Sequence, residues 1–261
     1  TLSLHDALPI SPNRDDDFTE FPPKLAINHT INDELAIFAN YSRGNRAPQT
    51  TDLYRIQSKQ IPGGAKSEKL DSLEIGLRGN FSIFNLELVG FNMRKENYFF
   101  RDSQGFNVEN GKTTHRGFEI NFLAEFNQFF QIENSTSFAE HEYDFDHSPN
   151  GIKSGNQIDS APELLANTRF IFTPKERTRI ELEWEKIDSY PVDERNAHFY
   201  KGHNVFNLRA KTPINENLSI GIYVNNITDK SYANRADFAF GSYRYFVGQK
   251  REFYLMLESK F

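Results

Sequence analysis

Cysteine is absent from the 261 residues, which removes disulfide frameworks, thiol catalysis and cysteine-based metal centres from consideration. Long hydrophobic runs are absent as well: nothing approaches the roughly 18 apolar residues of a membrane helix. The mean hydropathy is −0.65, which does not exclude membrane strands, because these alternate lipid-facing and lumen-facing residues and keep a low average. A basic excess is missing, with a net charge of −6, so nothing supports a nucleic-acid surface. The chain also has no phosphate-cradling glycine motif, no long single-sign charge block and no domain-sized shift of composition. Its length would suit one large domain or two small ones. What it has in quantity is phenylalanine, 25 residues, set in a strict alternation.

From Lys24 onward that alternation has a period of two, the mark of strands with one apolar face. "RGFEINFLAEF" sets Phe118, Ile120, Phe122, Ala124 and Phe126 against Glu119, Asn121 and Glu125. "TRIELEWEK" sets Ile180, Leu182 and Trp184 against Glu181, Glu183 and Glu185, and "VFNLRAK" and "NLSIGIYVNN" repeat the pattern. The final stretch "REFYLMLESKF" does so to the last residue, with Phe253, Leu255, Leu257 and Phe261 on one parity. Two places break the pattern. In "IFNLELVGFNMRKENYFF" the apolar set changes parity, which predicts a bulge or an extension near Gly90. In "FFQIENSTSF", Asn134 and Thr136 stand on the parity that is apolar elsewhere.

Short connections are expected at Asn32-Asp33, around Asn80 to Ser82, around Asn127-Gln128, and at "TPKER" and "PINEN"; long ones at 43–69, 101–111, 143–161, 188–203 and 228–249. A strand in each interval gives about eleven, joined as antiparallel hairpins with tight turns at one end and long loops at the other. That asymmetry belongs to outer-membrane barrels. The fold expected is therefore all-β, an antiparallel transmembrane β-barrel wall.

The first residues are set apart. "TLSLHDALPI" is the translation of ACT CTT TCC CTA CAC GAC GCT CTT CCG ATC, which resembles a widely used short-read sequencing adapter read in frame. Residues 1–11 are accordingly expected to be adapter-derived and residues 12–261 to be the protein proper.

Four stretches, "NYSRGNRAPQTTDLYRIQ" (40–57), "SEKLDSLEIGLRG" (67–79), "GKTTHRGFEINF" (111–122) and "YVNNITDKSYANRADFAFGSYRYFVGQKREFYLMLESKF" (223–261), occur in the order found in TonB-dependent outer-membrane receptors. The chain resembles the C-terminal half of such a barrel, with Asn45 standing where an aromatic residue is expected before "RAP". The resemblance implies half of a twenty-two-stranded barrel whose plug and N-terminal strands lie elsewhere. It implies active transport of a metal chelate, foremost a ferric siderophore, across the outer membrane of a Gram-negative bacterium, energised through the TonB complex. It further implies that Phe253, Leu255, Leu257 and Phe261 form the signal read by the barrel assembly machinery, and that outer-membrane lipid surrounds the wall.

Candidate sites divide by what their spacing permits. Glu181, Glu183 and Glu185 follow one another along a single strand face, which suits a solvated lumen; two glycosidase carboxyls must instead face each other across a substrate. In "EHEYDFDH" the alternation puts His141 and His147 opposite Asp144 and Asp146, so no metal site is expected there, nor any cofactor or catalytic residue. An anionic chelate is held by Arg forks and aromatic faces. The loops supply Arg46, Tyr54, Arg55, Arg235, Tyr243, Arg244 and Tyr245 as candidate ligand contacts. Three other readings stay open on the residues alone. A barrel enzyme such as a lipase would need a nucleophile and base on the outer wall, a passive porin would conduct ions, and a secreted β-sandwich would fold without detergent.

Overall fold

The computed structural model describes residues 16–54 and 63–260; the adapter-like segment 1–11, Arg55 and Phe261 lie outside them. The elements in chain order are β1 (Lys24–Thr30), β2 (Leu35–Arg46), α1 (Thr50–Tyr54), β3 (Glu68–Asn80), β4 (Phe84–Arg101), β5 (Asn107–Glu125), β6 (Phe130–Tyr143), β7 (Leu164–Phe172), β8 (Arg179–Ile187), β9 (Tyr190–Pro191), β10 (Phe199–Tyr200), β11 (His203–Pro213), β12 (Leu218–Asn225), β13 (Ala233–Ala239), β14 (Ser242–Val247) and β15 (Glu252–Ser259). Eleven of the strands form one antiparallel sheet in the order β1-β2-β3-β4-β5-β6-β7-β8-β11-β12-β15. Both the fold class and the strand number expected from alternation are met. Among the described residues β1 pairs with β2 alone and β15 with β12 alone, so the sheet is open at both edges.

The tight turns are closed by asparagine, whose side chain hydrogen-bonds its own backbone a few residues on. Asn127 Oδ1 accepts from the amides of Phe129 at 2.8 Å and Phe130 at 3.1 Å. Asn215 does the same for Asn217 and Leu218, both at 2.9 Å, and Asn32 for Glu34 at 2.9 Å. These turns fix the register, and the register lines up the faces. Phe84, Ala124, Ile132, Phe170, Leu182, Leu208, Val224 and Phe253 are successive partners across eight strands, forming one apolar row. Much of this face is uncovered: Ile75 is 60% exposed, Phe253 70% and Leu255 73%. A contiguous exposed apolar face of this extent marks contact with lipid or with another protein.

The opposite face is polar. In the row Glu133, Arg169, Glu183 and Asn207, Arg169 pairs with Glu133 at 2.7 Å. Asn207 donates to Glu183 at 3.0 Å and to Glu185 at 2.7 Å. Arg209 reaches Glu181 at 2.8 Å and Glu183 at 2.9 Å. The three glutamates thus belong to one cross-strand network of charges and amides.

Of the two readings at Gly90 the structure shows the extension, and one expected loop needs correction. β4 runs through Gly90 without a bulge, paired there with Ile75 on one side and Phe118 on the other. The apolar set changes parity because the outward parity becomes charged past Gly90, where Arg94 meets Asp144 at 3.3 Å, while Phe91 and Met93 turn inward. The irregularities fall between Glu96 and Phe100, where Asn97 adopts φ 56°. The connection expected at 101–111 is also shorter than its polarity suggested. β5 begins at Asn107, and Asp102 closes the turn by accepting from Gln104 at 3.0 Å and Phe106 at 2.8 Å. Rings of Tyr98, Phe100, Tyr143 and Phe145 pack beside this extended hairpin and hold it together beyond the sheet.

Candidate functional site

The long loops interlock into a cap over one end of the sheet. Its small core is Tyr190, Val192 and Ala236, with Ile187, Tyr200 and Phe238 packed around it. The cap is tied by contacts between loops: the amide of Ala236 donates to Tyr190 Oη at 2.9 Å, and that of Phe238 to the Val192 carbonyl at 2.8 Å. Ser103 Oγ donates to Glu194 at 2.8 Å, and Asn150 donates to Asp102 at 2.7 Å. Burial pushes the carboxyls of Asp159 and Glu194 above their ordinary range. Tyr143 donates to Asp159 at 2.8 Å; Glu194 also feels the charge of Asp159, and Asp159 that of Asp193.

The β13–β14 hairpin stands on this cap. Its turn places Phe240 at φ 53° and Gly241 at φ 78°, the pair of left-handed residues that lets a two-residue turn match the twist of its strands. The register puts Phe238 opposite Tyr243 and Ala236 opposite Tyr245 on one face, and Asp237 opposite Arg244 on the other. The aromatic face is a stack. His198 lies on Phe238 at 3.7 Å between ring centres, Tyr243 meets both edge-on, and Tyr245 lies parallel to Tyr243 at 5.9 Å. Asp193 fixes the His198 ring through Nδ1 at 2.6 Å. On the charged face Arg235 and Arg244 share Asp237, at 3.5 and 2.5 Å, with 62% and 53% of their side chains exposed. One carboxylate facing two guanidiniums leaves a local excess of positive charge on the face away from the tyrosine stack, beside the Phe246 ring over which Arg235 lies at 5.6 Å, a combination suited to an anion.

Four of the predicted contacts thus share one hairpin, Arg235 and Arg244 on one face and Tyr243 and Tyr245 on the other. Arg46 and Tyr54 form a separate group. Arg46 is forked onto Glu68 at 3.0 and 2.9 Å and reaches Asp52 at 3.3 Å, so its charge ties α1 to β3. Tyr54 donates to Asp16. Arg55 lies outside the described residues. The amide of Asn45, beside Arg46, is buried and has no hydrogen-bond partner among the described residues. The "EHEYDFDH" residues take separate partners: His141 contacts His115, Asp144 contacts Arg94, and Asp146 accepts from Ser154.

Sequence reasoning missed Asn226, the second asparagine of "YVNNITDK". It adopts φ 51°, donates to the carbonyls of Lys230 and Gln249, both at 2.9 Å, and accepts from the Lys230 amide at 2.9 Å. It therefore pins both ends of the loop that carries the hairpin. A hydrophilic residue after an apolar strand signalled the turn, but not this clamp. At the opposite end of the sheet the polar face forms a cleft of about 540 Å³ lined by residues including Arg78, Glu87, Asn121, Glu133, Asn167 and Arg169.

Comparison with known proteins places this geometry in context. The sequence profile of the family described as TonB dependent receptor-like, beta-barrel matches residues 4–227, beginning inside the adapter-like segment. The metal-pseudopaline receptor CntO of Pseudomonas aeruginosa is 20% identical over 224 residues, which cover 82% of this chain and 30% of that receptor. Among solved structures, the ferric-catecholate import receptor Fiu of Escherichia coli K12 superimposes with a TM-score of 0.75 at 18% identity, over 91% of this chain and 34% of Fiu. The ferric yersiniabactin uptake receptor FyuA of Yersinia pestis gives 0.76 at 14% identity, over 91% of this chain and 37% of FyuA. The chain spans about a third of the length of these relatives. All three are receptors, Fiu for import and FyuA for uptake.

Proposed function

Because the chain belongs to the family of TonB-dependent receptor β-barrels, we propose that it is the C-terminal wall of an outer-membrane receptor that imports a ferric siderophore, energised through TonB. The observation that carries the reading is the division of one sheet between an uncovered apolar face and a charged inner face, topped by a cap presenting Arg235, Tyr243, Arg244 and Tyr245. In this reading the apolar face meets lipid, the tight turns point to the periplasm and the cap faces outward. Residues 12–261 are the partial barrel, and the plug and remaining strands belong to sequence outside this chain. The open edges of β1 and β15 then pair with those strands, as they must, since unsatisfied backbone groups in lipid cost several kcal/mol each. Phe253, Leu255, Leu257 and Phe261 present the closing strand to the assembly machinery.

The test is uptake of radiolabelled iron by a receptor-deficient Gram-negative strain carrying the complete parent gene, supplied with a panel of ferric siderophores. Uptake of one chelate is expected, abolished by deletion of TonB. Arg244→Ala is expected to lower its affinity about tenfold, the scale of one lost charge-assisted hydrogen bond. Uptake that persists without TonB, together with ion conductance in planar bilayers, would make the protein a passive pore instead.

A further inference from the structure

On the inner face near the cap, Met93, His115 and His141 occupy directly opposed positions on the adjacent strands β4, β5 and β6. Directly opposed side chains on one sheet face have Cβ atoms about 4.5–5.5 Å apart. The imidazoles face each other through the same ring atom, with Nδ1 of His115 2.8 Å from Nδ1 of His141. His115 uses its other nitrogen as well: Nε2 lies 2.9 Å from Thr113 Oγ1, and Thr113 is buried.

We propose that His115 and His141 bind a copper(II)-type cation between their Nδ1 atoms, with the Met93 thioether as the adjacent soft ligand. The geometry supplies three of the requirements. Two nitrogens 2.8 Å apart can both lie about 2.0–2.1 Å from one ion with a bite close to a right angle, the cis angle of a tetragonal copper or nickel centre. Facing Nδ1 atoms at hydrogen-bond distance cannot both carry protons, so at least one lone pair is already aimed into the site. The Thr113 hydroxyl lies 2.9 Å from Nε2 of His115, placed to accept Nε2–H once Nδ1 holds the ion, the outer contact that fixes a ligand imidazole's tautomer and orientation.

In the metal-free pair the Nδ1–H of one ring donates to the bare Nδ1 of the other. When the cation enters, the donor ring's proton moves from Nδ1 to its unprotonated Nε2 by exchange with solvent, two nitrogen–metal bonds replace one hydrogen bond, and both rings stay neutral. Lys95, one row nearer the cap, is the closest opposing charge along these strands, and Glu68 neutralises it at 3.2 Å. Among the described residues no three His, Cys, Asp or Glu side chains converge. The site is therefore a histidine pair with a thioether, selective for soft and borderline ions over calcium or magnesium, which take oxygen ligands. It is independent of which chelate the receptor imports and does not rest on the transport reading.

The experiment is a copper(II) titration of the complete receptor from the parent gene in detergent, without an affinity tag, followed by electron paramagnetic resonance. One equivalent with nitrogen hyperfine structure from two imidazoles is expected. His115→Ala and His141→Ala should each lower the affinity more than about tenfold, and Thr113→Val about tenfold, the scale of losing an outer-shell partner. His29→Gln, on the far edge strand, should leave it unchanged. If an alanine variant fails to show the heat-modifiable migration of a folded barrel, His141→Gln, which keeps a polar cross-strand side chain, decides. Absence of a specific copper signal, or a two-nitrogen spectrum retained in His141→Ala or His141→Gln, would overturn the site.

Discussion

A Cβ at Gly117 would lie 2.1 Å from the carbonyl oxygen of Phe138 and 2.7 Å from the Cα of Ala139. Gly117 pairs with Ala139 at the middle of the β5–β6 ladder, so the backbone of β6 occupies the space a side chain would need. Gly117→Ala is expected to destabilise the barrel by about 1–3 kcal/mol, the cost of overpacking a closely fitted site. Gly44→Ala, whose Cβ would meet nothing within 4 Å, should be neutral or slightly stabilising. Thermal unfolding in detergent separates the two, and equal midpoints would show that β6 yields at this position.

Asn226 offers a second test, because one side chain closes the base of the loop that carries the arginine and tyrosine hairpin. Asn226→Ala removes contacts to Lys230 and Gln249 and places a Cβ-bearing residue without a local side-chain hydrogen bond at φ 51°. A loss of order 2–4 kcal/mol is expected from buried groups left unpaired plus the left-handed backbone. Hydrogen exchange across 226–251 should accelerate while exchange in β5 and β6 stays unchanged.

The same contrast, local turn against distant clamp, explains how far the sequence could be read. Alternation in β8 and β11 declared both faces before any coordinates, and the asparagine turns announced the hairpins, because each depends on residues a few positions apart. The parity change at Gly90 left two readings open: a bulge and a strand that extends past the apolar belt produce the same local pattern, and only the unbroken pairing with Ile75 and Phe118 selects the extension. The cap was illegible for a different reason. Its ties join Ser103 to Glu194 and Tyr190 to Ala236, across separations that no periodicity records. The partner of Arg46, Glu68, lies 22 residues on and could not be read locally, whereas the hairpin arginines and tyrosines fall on one hairpin because they are close in sequence.

The buried acids of the cap predict its response to pH. Asp159 and Glu194 have folded-state pKa values raised by burial. A raised carboxyl contributes stability that is fully present below its unfolded value, about 4, and is lost as pH rises through the folded value. The cap should therefore be tightest in mild acid and loosen toward neutrality. Hydrogen exchange in 144–163 and 188–202 is expected to quicken as pH rises, after correction for the intrinsic rate. Asp159→Asn, which stays neutral, should flatten that dependence; a dependence unchanged in this variant would locate the titration elsewhere.

The polar notch on the apolar face is explained by its own hydrogen bonds, and these make the last prediction. Asn134 and Thr168 lie in one row with Phe122 and Trp184, while the Phe118–Phe138 ring pair stands further along the strands. Asn134 Nδ2 donates to Thr168 Oγ1 at 2.8 Å, and Thr136 Oγ1 donates to Asn134 Oδ1 at 3.0 Å. A polar group in lipid without a partner is costly, and here the amide and both hydroxyls satisfy one another. Thr168→Val keeps the shape but removes the short acceptor of the Asn134 amide, leaving only the Asn167 carbonyl at 3.4 Å. A destabilisation of about 1–3 kcal/mol is expected. Replacing the whole cluster, as Asn134→Leu, Thr136→Val and Thr168→Val together, should recover most of that loss, because no buried polar side chain remains unpaired. Unfolding of both variants from lipid vesicles measures the difference. A triple variant as unstable as Thr168→Val alone would mean that the notch is recognised by something besides itself, such as a polar group of a neighbouring strand or protein.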